Sequence, residues 1–172
     1  MKKLFSILIV VTTAILFTAC GSDRPDDLPA SQTASATKSF TLIAAAGDDT
    51  RSEESIAMSD FSAISEYMKY VNASLVQTTS YIQISGITVT QEVELKNVTL
   101  SLKSDSKKKI VLPTITANTK FMELTHLTFL QTVMDEINRK GSSTLLLTYT
   151  STHDLTTPVT MTIKMDTRFT FD

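Results

Sequence analysis

Apolar and polar residues alternate most regularly near the C-terminus. Val159, Met161, Ile163, Met165, Phe169 and Phe171 share one parity, while Thr160, Thr162, Lys164, Asp166, Arg168 and Thr170 share the other. Successive side chains of a strand point to opposite faces, so this spacing predicts a long antiparallel strand with one buried and one wet face. Leu145, Leu147 and Tyr149 predict the strand before it, with a loop through Ser151, His153, Asp154 and Pro158 between the two. Further upstream the period lengthens. Leu127, Leu130, Met134 and Ile137 recur at three and four, which predicts a helix running to about Lys140. Thr128 with Gln131 fits a capping box, and Gly141 fits a left-handed stop after Arg139 and Lys140. Phe61, Ile64, Met68, Val71 and Leu75 predict an earlier helix by the same spacing, with Ser59 or Asp60 as its cap.

Between the helices the pattern is that of strands, with two changes of parity. Ile82 and Ile84 alternate, Gly86 shifts the phase, and Ile87, Val89, Val93 and Leu95 continue on odd positions. A second shift at Lys96-Asn97 moves Val98, Leu100 and Leu102 to even positions, so each change requires a turn or a bulge. Lys103 to Lys107 reads as a hairpin loop before a strand from Ile110 to Ile115. Phe40 to Ala46 reads as the opening strand, stopped by Gly47-Asp48-Asp49. Threonine agrees with this picture, since 25 of the 153 residues from Cys20 onward are Thr, and β-branched side chains suit a pleated surface. The expected fold is mainly β with two helices, an antiparallel β-sandwich that is immunoglobulin-like in the broad sense. The alternative is an α+β antiparallel sheet with both helices on one face. No repeat of solenoid length is present.

The N-terminus has a different pattern. Lys2 and Lys3 precede an uncharged, largely apolar stretch from Leu4 to Phe17 that contains Leu8, Ile9, Val10, Val11, Ile15 and Leu16. As a helix it would rise roughly 21 Å, short of the ~30 Å hydrocarbon core, so it reads as a secretory signal rather than a span. Phe17-Thr18-Ala19-Cys20-Gly21 follows, and with it the chain resembles bacterial lipoproteins, although Phe17 stands where Leu is usual. The resemblance implies cleavage before Cys20 and acylation of that residue, by diacylglycerol and a further acyl chain such as palmitate. Several chains anchor a protein stably where one binds reversibly. Gly21 in place of Asp implies the outer membrane. Ser22-Asp23-Arg24-Pro25-Asp26-Asp27 partly resembles the acidic export signal of Bacteroidota surface lipoproteins, which leaves both the outer surface and the periplasmic side open. The expected organisation is therefore a signal peptide over 1–19, the lipidated Cys20 with a flexible tether over 20–39, and one strand-rich domain over 40–172. From Gly21 to Ser39 the only large apolar residue is Leu28, too little apolar surface to offset ordering.

Charge and composition narrow the function classes. Without Lys2 and Lys3 the chain holds 14 basic and 18 acidic residues, and its one basic run is Lys107-Lys108-Lys109. Nucleic acid is not an expected partner, because phosphate neutralisation needs clustered Lys and Arg. That run reads as a solvated hairpin tip, with contact to anionic lipid or glycan as the sharper alternative. Four glycines leave no phosphate-cradling loop, and there is no Gly-x-Ser-x-Gly. His126 and His153 lack a second ligand at metal spacing, and Asp48, Asp49, Glu53 and Glu54 lack the alternation of a calcium loop and read as a solvated acidic loop, so no metal or cofactor is expected. Glu66, Glu92, Glu94 and Glu123 read as solvated charges, and Tyr67, Tyr70, Tyr81 and Tyr149 as core edges. His153-Asp154 reads as a turn. The expected function is a non-enzymatic binding or accessory lipoprotein with a protein or glycan partner. Two alternatives stand beside it: a small envelope hydrolase built on distant carboxylates with a Tyr or His153, and a periplasmic carrier of an apolar ligand.

Overall fold

The structure is a computed structural model, and it describes residues 30–61, 64, 72–88 and 92–171. Among the described residues, nine strands form two antiparallel sheets. The first sheet has the order β1-β9-β4-β7, with β3 also paired to β9, and the second has the order β2-β8-β5-β6. In chain order the strands are β1 (Ser31–Leu42), β2 (Asp49–Ala57), β3 (Asn72–Leu75), β4 (Tyr81–Ser85), β5 (Leu95–Leu102), β6 (Asp105–Val111), β7 (Thr119–Phe121), β8 (Ser142–Ser151) and β9 (Val159–Thr170). A 3-10 turn, Met58–Asp60, follows β2, and one α-helix among the described residues, α1 (Leu124–Lys140), joins β7 to β8.

The alternation predicted for the last strand is the backbone of the first sheet. β9 pairs along one edge with all of β1, from Ser31 opposite Thr170 to Leu42 opposite Val159. Its other edge takes β3 at Thr167–Thr170 and β4 at Thr160–Lys164. Val159, Met161, Ile163, Met165 and Phe169 are fully buried, and they join Leu145, Leu147 and Tyr149 of β8 and Leu95, Val98, Leu100 and Leu102 of β5 in one core. Phe61 meets Phe169 edge to face, with ring centroids 5.5 Å apart. Such pairs favour the T-shaped arrangement because the ring edge is positive and its face negative.

Several expectations are corrected. Residues 31–39 belong to β1 rather than to a tether, so the domain begins before Phe40. Their buried positions are Ala34 and Ala36, side chains too small to register as an apolar run, and β9 supplies the backbone partners that hold them. Asp49–Ala57 is a strand and not an acidic loop: its backbone pairs with β8 throughout, while Glu53 accepts bonds from Arg51 and Lys103 at the surface. Of the earlier predicted helix, Met68 and Val71 lie outside the described residues, Phe61 and Ile64 are buried, and Leu75 sits in β3. At Leu75, pairing with β9 opposite Thr167 overrides helical spacing. Ile87 and Val93 are buried loop residues rather than strand members, and the β5–β6 turn is confined to Lys103-Ser104, so the lysine run lies in β6 itself. β6 is an edge strand, where consecutive lysines also discourage pairing with another chain.

Both parity shifts are present as backbone irregularities. Gly86 has φ +94, and the β5–β8 register breaks between Lys96 and Thr99 around Asn97 at φ 54. The second predicted helix ends as expected, with Gly141 in the left-handed conformation and its N–H on the carbonyl of Ile137. Its start is earlier. Glu123 is the cap residue, so Thr128 lies inside the helix and donates to the Leu124 carbonyl, and Gln131 instead accepts the Leu75 N–H at 2.9 Å. That bond covers the open edge of β3. α1 touches β3 and β4 of one sheet and β6 and β8 of the other, so it bridges the two sheets rather than lying on one face.

The bridge is fixed by a buried carboxylate. Glu136 is 4% exposed, accepts from Lys140 Nζ at 2.5 Å and from Ser143 Oγ at 2.8 Å, and ties the helix to the first turn of β8. Burial would raise its pKa, but bonds from Lys140, Ser104 and Ser143 outweigh that and hold it at about 2. A carboxyl depressed below its unfolded value of 4.5 stabilises the fold above that pH, and the contribution is lost as pH falls toward 2. Urea unfolding between pH 4.5 and 2 is therefore expected to show a loss of up to about 3 kcal/mol from this group. In Glu136→Gln that part of the slope disappears.

Candidate functional site

Four of the connections between the two sheets lie together at one end. Residues 43–48 connect β1 to β2, 86–94 connect β4 to β5, 112–118 connect β6 to β7, and 152–158 connect β8 to β9. Each connection crosses from one sheet to the other, and the registers put all four at the end of the domain opposite Ser31. The loop carrying His153 is thus a crossover rather than the turn of a hairpin.

These loops are bonded to one another. Gly47 N–H donates to Ser151 O, Leu155 N–H to Ala44 O, and Ala46 N–H to Asp154 Oδ1 at 2.8 Å, which joins the first loop to the last. Thr152 N–H donates to Glu94 O, and Thr152 Oγ1 accepts the Glu94 N–H at 2.9 Å, joining the second to the last. Asn118 Oδ1 accepts the Ile87 N–H, and Leu95 and Ile115 exchange a pair of backbone bonds, which draws in the third. Beneath them Tyr149 spans the sheets. Its hydroxyl accepts from Ile43 N–H at 2.9 Å and donates to Ile43 O at 3.1 Å, and burial pushes its pKa up. Loop backbone whose polar groups are satisfied within the protein needs little further ordering when it meets a ligand.

Glu92, Glu94, Thr116, Thr152 and His153 line an open cleft of about 500 Å³ between these loops. The structure therefore brings together three residues that the chain separates by up to 61 positions: both glutamates sit in the second loop, not on the outer face of a strand, and His153 sits opposite them. Two of these groups have partners. Glu94 pairs with Lys96 at 2.9 Å, and His153 Nδ1 lies 3.1 Å from the Thr152 hydroxyl. Asp154, in contrast, holds the first loop through Ala46. The four loops contain Asp48, Glu92, Glu94 and Asp154 and no Lys or Arg, and with Lys96 of β5 neutralising Glu94 they remain net negative.

The other marked residues lie elsewhere. His126 is buried against Phe121, with ring centroids 5.3 Å apart, and belongs to the core under α1. Tyr81 carries Lys120 Nζ 4.0 Å above its ring. Glu123 caps α1. Cys20, Glu66, Tyr67 and Tyr70 lie outside the described residues. Among the described residues, no group of three or more His, Cys, Asp or Glu is arranged to hold a metal ion, and no helix is long and apolar enough to cross a membrane.

Sequence reasoning passed over two buried carboxylates, Glu136 of α1 and Asp166. Asp166 was expected on the wet face of β9, yet it is 6% exposed and accepts from Ser35 Oγ at 2.5 Å and Lys164 Nζ at 2.9 Å. Burial would raise its pKa, and the bonds from Ser35, Thr79 and Lys164 reverse the direction. Its backbone also exchanges bonds with Ser80, so it fastens β1 and the β3–β4 turn to β9. The only signal in the chain was the Asp itself, and its neighbours come from distant segments.

No family model matches the chain, and no curated protein matches it. Among solved structures it is similar to a chain titled Desmodium yellow mottle tymovirus, at 16% identity over 87% of this chain and 95% of that one, with a TM-score of 0.31. A likeness of that size carries no functional argument.

The rigidity of the loop end is testable at Gly86. A Cβ there would lie 2.4 Å from the Pro158 carbonyl, on a backbone at φ +94 that L residues rarely adopt. Gly86→Ala is expected to cost at least about 2 kcal/mol in chemical denaturation, since neither the strand nor the loop can yield cheaply. An unchanged midpoint would show that the contact is not held.

Proposed function

We propose that the chain is a lipid-anchored protein of the bacterial outer membrane, non-enzymatic, which acts as a binding or accessory subunit through its loop end. We read the paired sheets as an antiparallel sandwich, immunoglobulin-like in the broad sense. The anchor is Cys20, carrying acyl chains that include palmitate. The carrying observation is the placement of Ser31, the first residue of β1, at the end of the domain opposite the four crossover loops. Ten residues separate it from Cys20. Such a segment spans at most about 36 Å however it is arranged, so a chain tethered at Cys20 holds its Ser31 end on the lipid side and turns the loops away from it. A protein or glycan partner then meets a prebonded, acidic surface with a cleft and the exposed Ile43 at its margin. Whether that surface faces the medium or the periplasm is left to the export signal.

A second reading is a small envelope hydrolase, favoured by one observation: His153, two carboxylates and two hydroxyls share the loop-end cleft. Binding is preferred because Glu94 is engaged by Lys96 and the Nδ1 of His153 by Thr152, the arrangement of a hydrogen-bonded turn. The carrier reading has less behind it, since the cleft is lined mainly by polar side chains.

Replacing Cys20 with Ala tests the anchor. The variant is expected to leave the membrane fraction and to lose incorporation of labelled palmitate, and continued fractionation with outer membranes would overturn the reading. His153→Ala separates the two functional readings. A binding surface loses affinity for its partner by several-fold, whereas a hydrolase loses turnover by orders of magnitude.

A further inference from the structure

We infer that the strip formed by Lys107, Lys108 and Lys109 of β6 and the exposed start of α1 rests on an anionic phospholipid surface. This deepens the anchored reading by saying which flank of the domain meets the membrane. Most other cations of the domain are engaged: Lys38 with Asp60, Arg51 and Lys103 with Glu53, Lys96 with Glu94, Lys140 with Glu136 and Lys164 with Asp166. Lys107, Lys108 and Lys109 are all exposed, and none is in an ion pair among the described residues. They line a cleft of about 370 Å³ with Thr125, Thr128 and Asp135 of α1, and Asp135 is itself bonded to the Gln131 amide.

Exposed apolar residues adjoin both segments of the strip along the chain, and Val111, two residues beyond Lys109 in β6, is 63% exposed. Leu124 is 69% exposed and Met122 37% exposed, immediately before Thr125. Lysines with exposed apolar residues on the same strand and at the start of the adjoining helix match a headgroup boundary, where cations meet phosphate and apolar tips enter the acyl edge. A free-phosphate site would need no such apolar flank. Charge distribution agrees, because the four crossover loops hold four carboxylates and no Lys or Arg, and with Lys96 of β5 pairing one of them they keep a net negative charge that is repelled by the surface that attracts the strip. β6 starts at Asp105, opposite Leu102, at the end where β1 also starts, so the strip begins on the anchored half of the domain.

The test uses the chain from Gly21 onward, which lacks signal and acyl group but retains every described core residue. It is sedimented with vesicles of phosphatidylcholine, with and without phosphatidylglycerol. The proposal expects binding to the anionic vesicles alone, weakening as salt rises. A contribution of about one charge's worth per lysine corresponds to roughly 5-fold each, so K107Q/K108Q/K109Q is expected to bind on the order of 100-fold more weakly. K107R/K108R/K109R keeps the affinity, and Leu124→Ser reduces it a few-fold. Equal binding to both vesicle types, no binding at low salt, or full binding by the triple Gln variant overturns the proposal. So does release by inorganic phosphate at constant ionic strength, which would identify a free-phosphate site. Because no acyl group is present, failure here leaves the Cys20 fractionation result standing, and failure of the anchor leaves this result standing.

Discussion

The strand β9 is paired along both edges, and the rest of the architecture follows from that constraint. One edge is occupied over its full length by β1, the first strand, and the other is shared by β3 and β4. A polar backbone in a core must find partners within the protein, so a buried strand of 12 residues draws in whatever neighbours offer matching N–H and C=O groups. The residues supplied by β1 are small and polar on average. Their role is to complete the ladder, not to provide most of the apolar area, which comes from the inward parity of β9, β8 and β5. Pairing the first strand with the last also makes the fold strongly non-local, which slows folding relative to a helical chain of the same length.

Pairing in this register places Ser31 beside Thr170 and leaves the opposite end to the four crossovers. Their mutual bonds, with the Tyr149 hydroxyl clasping Ile43 beneath them, turn four loops into one connected surface. The charge is separated along the same axis. Acids gather on the loops, while the unpaired lysines lie on the β6 edge beside α1. A domain tethered near Ser31 and attracted to lipid through that edge would present the acidic end outward, so anchor, charge and loop placement support one orientation.

Much of this was legible in the chain where local pattern and tertiary context agree. The alternation of β9, the spacing and Gly141 stop of α1, the break at Gly86 and the bulge at Lys96-Asn97 all have local causes, and all are present. What was not legible depended on distant partners. β1 reads as tether because Ala34 and Ala36 are small, β2 reads as an acidic loop because an edge strand needs few apolar residues, and Leu75 follows helical spacing while serving in a sheet. The apparent capping box at Thr128 failed because the helix had already begun at Leu124. His153, Glu92 and Glu94 were each visible as polar residues, but their convergence is a property of the crossovers and has no signature in spacing. Cys20 is the reverse case, a residue marked by its immediate neighbours that lies outside the described structure.

The central claim is that the loop end is a preformed surface held by the same cooperative unit as β9. Amide hydrogen exchange on the chain from Gly21 onward tests it most directly. The account predicts that the Gly47, Ile87, Glu94, Leu95, Ile115 and Leu155 amides, each bonded across loops, exchange as slowly as those of Ile163 and Met165, through the same global opening. Exchange of the loop amides within seconds while β9 remains protected for hours would contradict it.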